Sequence, residues 1–257
     1  MRPNQVKRKL ARGETVVGTM LIEFATRGIG RLTAAAGAEF AVFDMEHSGW
    51  SIETIGELMA STRSSELVPL VRPPAVQYHY IARALDMGAM GIVVPFIDEP
   101  EQAELVVQCT RYPPEGRRGT AFSIGHDDYA PGDVGQKMRT ANEEVMVVVQ
   151  IESTRGLENV EKIAAVKGVD AVWIGQFDLT ASMGIPGNVK HPDFVAAQRR
   201  ILQACQKAGV AAGYGSLFLE DVVAARKQGF RYLVYTADLW IYQRALRDGL
   251  SFIREQA

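Results

Sequence analysis

Between Val147 and Gly184 the chain reads VVVQIESTRGLENVEKIAAVKGVDAVWIGQFDLTASMG, and two carboxylates in it, Glu152 and Asp178, close two successive apolar runs. Gln150 and Glu152 lie two positions apart, so on a strand they project from the same face into one pocket. The stretch from Thr154 to Val166 carries Leu157, Val160, Ile163 and Ala164 at helical spacing, and the turn KGVD then leads into AVWIG. The pattern predicts a βαβ unit with an acid at each strand tip. Hard divalent cations such as Mg²⁺ bind carboxylate and water oxygens and need only one or two protein carboxylates, which leaves positions for substrate. A metal on Glu152 and Asp178 is the chemistry this spacing favours. Each acid also has a plainer reading. Asp178 precedes the helical stretch LTASMG and could cap it by accepting backbone N–H groups. Glu152 could pair with Arg155, since a carboxylate that ends an apolar strand needs a cation.

Other apolar runs end in reactive side chains. In FDMEHSGW, His47 follows Asp44 and Glu46, so a carboxylate is at hand to orient an imidazole and raise its basicity, as a general base requires. An exposed loop histidine is the alternative. Arg72, in LVRPP, stands where prolines stop a run, and its guanidinium there needs an anion: a protein acid, or a substrate carboxylate or enolate. Glu23, Thr236 and Asp238 close further runs. His79, His126 beside Asp127 and Asp128, and His191 in KHPDF have no zinc-site spacing.

Positioning these residues calls for a regular scaffold. With 257 residues, 47% of them hydrophobic, the chain can bury a large core and suits a single domain of barrel size, 1–257. Eight β-like runs recur: TVVGTMLI, FAVFDME, VPLVRP, GIVVPF, VMVVVQIE, AVWIG, AAGYG and YLVYTAD. They are continuous and Val-rich, as parallel strands buried on both faces are, and amphipathic stretches such as SIETIGELMAST and FVAAQRRILQACQKAG alternate with them. A (β/α)₈ barrel is predicted, with catalytic groups at the C-terminal strand ends. An open doubly wound sheet is the runner-up, but the first strand is followed by EFATRGIGRLTA and not by a Gly-rich phosphate turn. The Pro- and Gly-dense stretch at about 111–144 reads as an active-site loop, because long connections in compact domains are usually functional or disordered. At about 238–256, Leu239, Tyr242, Leu246, Leu250 and Ile253 share helical spacing, so a C-terminal helix is expected to close the barrel or pack on a neighbour. The formal charge of −2, with scattered lysines and arginines, speaks against nucleic acid. No apolar stretch approaches the roughly 20 residues that span a bilayer. The charged N-terminus lacks a signal-peptide core, so no membrane partner and a cytoplasmic location are expected. Cys109 and Cys205 read as reduced core thiols.

Taken in order, FDMEH, VRPP, RALDMGAMGIVVPFIDEPEQAE, RYPPEGRRG, QIES, GVDAVWIGQFDLTASMG and GNVKHPDF resemble the HpcH/HpaI family of class II pyruvate aldolases, of the 4-hydroxy-2-oxoheptanedioate or 2-keto-3-deoxy-sugar-acid type. The resemblance covers almost the whole chain. It implies a (β/α)₈ barrel of the phosphoenolpyruvate/pyruvate superfamily, a divalent metal (Mg, Mn or Co) and reversible cleavage of a 4-hydroxy-2-oxo acid to pyruvate and an aldehyde. It also implies a homo-hexamer. By the same resemblance Glu152 and Asp178 are metal ligands, His47 with Asp44 a base dyad, and Arg72 the holder of the keto or enolate oxygen. Gln150 becomes a polar contact near the metal, and Gly175 and Asp178 offer backbone groups to the pyruvate carboxylate. GQFDL stands where the family commonly has G-P-x-D-L, which puts Phe177 at the wall of the aldehyde pocket, and VYTADLWIY replaces a glycine-rich strand end. No lysine sits at an obvious strand tip, against a Schiff-base mechanism. Two other functions remain open at this stage. A CoA-thioester lyase of the citrate-lyase β type would need a basic groove, hinted at by Arg117 and Arg118. A non-catalytic 2-keto-acid-binding barrel would bind without turnover.

Overall fold

A computed structural model describes residues 1–256, and its centre is a closed barrel of eight parallel strands in chain order. They are β1 (Val16–Leu21), β2 (Phe40–Asp44), β3 (Val68–Arg72), β4 (Gly91–Val94), β5 (Met146–Ile151), β6 (Ala171–Ile174), β7 (Ala211–Ser216) and β8 (Tyr232–Ala237). Every residue of β2 to β6 is buried, which is why these runs are continuous in Val, Ile and Phe and do not alternate. The predicted (β/α)₈ barrel is the fold, and the open sheet is excluded by pairing of β1 with β8.

The helices are α1 (Gln5–Ala11), α2 (Ile29–Ala35), α3 (Ile52–Thr62), α4 (Tyr78–Asp86), α5 (Pro100–Thr110) and α6 (Val134–Glu144). Then come α7 (Thr154–Glu158), α8 (Val160–Ala164), α9 (Gln176–Ser182), α10 (Pro192–Ala208), α11 (Leu219–Gln228) and α12 (Asp238–Glu255). Most of the core lies between strands and outer helices, where Ile55, Met59, Ile81, Val106, Ile163 and Ile201 pack on the outward strand residues. Cys109 and Cys205 are free and buried.

A second core fills the barrel. Phe40 and Tyr232 stack with ring centroids 4.5 Å apart, and Gly18 makes room, since a Cβ there would run into the Phe40 ring. The base is plugged by α1, whose Val6 and Leu10 join Val16, Phe40 and Met90. Each such burial is worth about 1.5–3 kcal/mol.

Two departures concern the ends of elements. The predicted helix from Thr154 to Val166 breaks at Asn159, whose side-chain amide donates instead to Asp98 O (2.8 Å) and Glu99 Oε2 (2.9 Å). β4 stops at Val94 because Pro95 has no N–H to give and Phe96 adopts a left-handed φ of 51°.

The third departure is larger. The stretch at about 111–144, expected as an active-site loop, contains a 3₁₀ turn at Gly125–Asp127 and α6, and it joins the end of α5 to the start of β5. It therefore runs across the base of this subunit's own barrel. Its contacts agree: Arg63 pairs with Asp128, and Asn4 donates to both Met90 O and Glu144 O at 3.0 Å.

Candidate functional site

A cavity of roughly 150 Å³ opens at the C-terminal strand ends, and its lining includes His47, Arg72, Gln150, Glu152, Gly175, Phe177 and Asp178. Each comes from the tip of a strand or the turn after it, so residues 131 positions apart in the chain, His47 to Asp178, share one wall. Asp44 lies behind that wall, fully buried.

Arg72, itself 6% exposed, is the only cation buried among the acids here. Its Nε and Nη2 donate to Asp44 Oδ1 and Oδ2 at 2.8 and 2.7 Å, a two-pronged grip that fixes the guanidinium plane. Nη1 stays on the cavity side, 3.1 Å from Glu46 Oε2 and 3.4 Å from Gln150 Oε1. Burial works against the charge on Arg72, but the bonds and the fields of Asp44, Glu46 and Glu152 outweigh it, so its pKa rises.

The dyad of His47 with Asp44 requires correction. Both Asp44 oxygens are spent on Arg72, and Oδ1 also accepts from Glu46 N–H at 2.9 Å. The carboxylate nearest His47 is Glu46, at 3.8 Å from Nε2. Glu46 Oε2 is buried yet out of line for a hydrogen bond, and burial raises the Glu46 pKa, aided by Asp44 and Asp178 and opposed by Arg72 and His47. The sequence offers both Asp44 and Glu46 as partners for His47, two residues apart and so on one face, and only the resemblance singles out Asp44.

Glu152 is 2% exposed and has no cation of its own. Arg155, the ion-pair alternative, is turned away: its side chain is 61% exposed and bonded to Glu99. Glu152 accepts from Phe96 N–H at 2.8 Å and from Gln150 Nε2 at 3.3 Å. The left-handed turn of Phe96 aims that N–H into the pocket. Burial, reinforced by Glu46 and Asp178, pushes the Glu152 carboxyl up to about 7 against the pull of Phe96 and Arg72. The side chain lies flat on Gly175, where any Cβ would fall inside the carboxylate. Glycine is required there by that approach. Asp178 sits in the first turn of α9, whose N-cap is Gly175, so the capping alternative fails. No described side chain or N–H bonds the Asp178 carboxylate.

The mouth thus gathers Asp44, Glu46, Glu152 and Asp178 around one buried arginine. An uncompensated acid set of this kind fits a cation. Among the described residues no three His, Cys, Asp or Glu side chains converge to hold a metal unaided, as expected where substrate and water complete the shell.

The rest of the lining is mixed: Met20, Ile22, Trp173, Leu217, Val234 and Trp240 are largely apolar, Gln176, Ser216 and Thr236 are polar, and Phe177 stands at the rim, 55% exposed. Alternation along β6 would have placed Trp173 inside with Gly175. The hinted CoA groove is absent from this mouth: Arg118 is buried at the base, bonded to Asp86 at 2.6 Å and 4.7 Å over the Tyr112 ring. His79 is exposed on α4, His126 lies in the base segment with Nε2 2.7 Å from Ala121 O, and His191 caps α10.

Comparison with known proteins points the same way. A sequence profile of the HpcH/HpaI aldolase/citrate lyase family matches residues 25–239. A hydroxypyruvate/pyruvate aldolase of Paraburkholderia phytofirmans is 36% identical, with 98% of each chain covered. A 2-keto-3-deoxy-L-rhamnonate aldolase of Klebsiella pneumoniae is 32% identical over 99% of this chain and 94% of its own. Among solved structures, an HpcH/HpaI aldolase from Desulfitobacterium hafniense superposes with a TM-score of 0.93 at 31% identity, covering 97% of this chain and 96% of the other.

Proposed function

This chain belongs to the HpcH/HpaI aldolase/citrate lyase family, and on that premise we propose that its cavity cleaves a 4-hydroxy-2-oxo acid reversibly to pyruvate and an aldehyde, with a divalent cation on Glu152 and Asp178. The chain is a carbon–carbon lyase of the class II pyruvate aldolase kind, in a family that generally uses a divalent metal. The single observation that carries the site is Glu152: buried, without a cation, and raised to about 7.

Bound there, the cation supplies Lewis-acid polarisation of the substrate's carboxylate and keto oxygens. The protein's own residues do the rest. Arg72, clamped by Asp44, holds Nη1 where negative charge grows on the keto oxygen, so no reorganisation is needed as the enolate forms. His47 accepts the 4-hydroxyl proton as the C3–C4 bond breaks, and Glu46 steadies the resulting imidazolium. The aldehyde departs, C3 of the enolate takes a proton, and pyruvate is released. Gln150, between Arg72 and Glu152, keeps both oriented. Peptide N–H groups of Gln176 to Asp178, in the first turn of α9, receive the pyruvate carboxylate; the Gly175 N–H, expected to take part, is given to Ile151 O at 3.1 Å.

The test is exchange of pyruvate methyl protons in D₂O, followed by NMR with Mg²⁺ or Mn²⁺ and again with a chelator. Exchange that needs metal is expected, and exchange that persists at full rate in excess chelator refutes the metal site.

We also infer a homo-hexamer in which α12 packs on adjacent subunits around Trp240. Supporting this, α12 leaves Leu246, Leu250, Phe252 and Ile253 at 41–67% exposure, more apolar surface than an isolated helix face sustains. Light scattering that shows a monomer at micromolar concentration removes it.

A further inference from the structure

The cavity has two unlike halves. One holds every charged side chain that lines it, namely His47, Arg72, Glu152 and Asp178. The other is built from Met20, Ile22, Leu217, Val234, Trp240 and Phe177, contributed by β1 and the turn after it, the turn after β7, β8 and the first turns of α12 and α9. A 4-hydroxy-2-oxo acid spans both halves. Its pyruvoyl end belongs with the charged groups, so the substituent beyond C4, which becomes the aldehyde's tail, meets the apolar wall.

Among the described residues of this chain, that wall offers no counter-charge. Arg72 is committed to two oxygens of Asp44 and faces Glu46, and no other lysine or arginine lines the cavity. A tail carboxylate would lose water, find no partner and face Glu152 and Asp178. Hydroxyl partners are scarce as well. Ser216 Oγ donates to Asp221 Oδ2 (3.0 Å) and accepts from Phe218 N–H (3.1 Å), so its capacity is largely used. Gln176 and Thr236, with the indole N–H groups of Trp173 and Trp240, are the uncharged polar side-chain groups of the lining with no bond to the described protein. Of these only Gln176 and Thr236 can accept as well as donate, so a run of hydroxyls, each both donor and acceptor, is only partly matched. Phe177, 55% exposed at the rim, is instead a large flat surface that a hydrocarbon tail would cover.

Resting on the aldolase reading, we propose that the aldehyde partner is hydrocarbon-tailed, aliphatic or aromatic, and that carboxylated and polyhydroxylated aldehydes are rejected by this wall. The discrimination arises from what the pocket lacks: an unpaired tail charge or hydroxyl leaves its own desolvation uncompensated.

The experiment uses the full chain with Mg²⁺, saturating pyruvate and three four-carbon aldehydes: butanal, succinic semialdehyde and erythrose. We expect kcat/KM for butanal to exceed that for erythrose about tenfold and that for succinic semialdehyde about a hundredfold. Leu217→Arg supplies the missing cation, so the ratio of succinic semialdehyde to butanal should rise at least about tenfold within that variant. Because that change could prevent folding, Phe177→Ala serves as a second variant: at an exposed rim position it should shrink the butanal preference over erythrose by about half or more. Succinic semialdehyde or erythrose matching butanal in the wild type overturns the proposal, as does an unchanged set of ratios in both variants. Loss of metal-dependent pyruvate proton exchange in the wild type is a different result, which removes the aldolase reading and this proposal with it.

Discussion

Both ends of the barrel hold buried or half-buried carboxylates, but they pair them differently. At the base, Glu144 accepts from Asn4 N–H at 2.6 Å and pairs with Arg8, while Asp170 takes Val147 N–H at 2.8 Å and faces Lys7 at 3.5 Å. Two acids meet two cations, and the plug is sealed. At the mouth, four acids surround Arg72, Glu46 keeps an oxygen without a hydrogen bond, and Glu152 is raised to about 7. Identical side-chain chemistry therefore serves cohesion where it is balanced and function where it is left in excess.

The sharpest way to break this contrast is to remove the excess. Glu152→Gln and Asp178→Asn should each lower aldol cleavage by about 10³ or more, roughly 4 kcal/mol of barrier, with the barrel still folded by circular dichroism. Turnover within tenfold of wild type in either variant would put the metal elsewhere.

A pH titration of stability probes the same excess without touching the reaction. Glu152 has an ordinary value of 4.5 and is raised to about 7 in the fold, so the folded chain binds more protons than the unfolded one between those values. Stability should therefore fall as pH climbs from about 4.5 to 7, then level off, with a contribution of the order of 3 kcal/mol. Thermal melts of metal-free protein at pH 5 and pH 8 read this out. Glu152→Gln should flatten the difference, and a slope of the opposite sign in wild type would contradict the assignment.

Arg72→Lys tests geometry at constant charge. A point charge cannot grip Asp44 with two prongs and still face the cavity, so a loss of about 10², close to 3 kcal/mol, is expected in kcat/KM. A loss smaller than about tenfold would mean that Arg72 acts by charge alone. At the base the expectation reverses. Glu144→Gln should cost about 1–2 kcal/mol in urea unfolding and leave kcat/KM unchanged, because its bonds close the plug and touch nothing at the mouth.

What the sequence reveals of this molecule follows its local periodicities. Continuous Val-rich runs mark buried parallel strands, and spacing by two puts Gln150 with Glu152 on one face, so the barrel and most of the mouth could be read directly. Pairing across strands could not. Asp44 and Glu46 share a face in sequence, yet only the approach of β3 decides that Arg72 grips Asp44 with two prongs and sets Glu46 between its third nitrogen and His47. The 111–144 stretch shows a related gap: Pro and Gly content marks a connection but carries no information on which end of the barrel it crosses. Chain order does, because a helix-to-strand link returns to the base. Asn159 breaks a helix through a contact with residues 98 and 99, about 60 positions away, which no local window contains.

Asp238 joins parts of the molecule that have so far been treated separately. Its carboxylate accepts from Ile22, Glu23 and Phe24 N–H groups at 2.8–3.1 Å and from Leu239 N–H at 2.9 Å, at the first residue of α12. Ile22 and Trp240 both line the cavity. The outermost helix and the acceptor wall are therefore levers on one fulcrum. With Tyr242 against Phe24 and Arg244 against Tyr235 holding the next turns, whatever seats the helix also bears on the edge of the pocket.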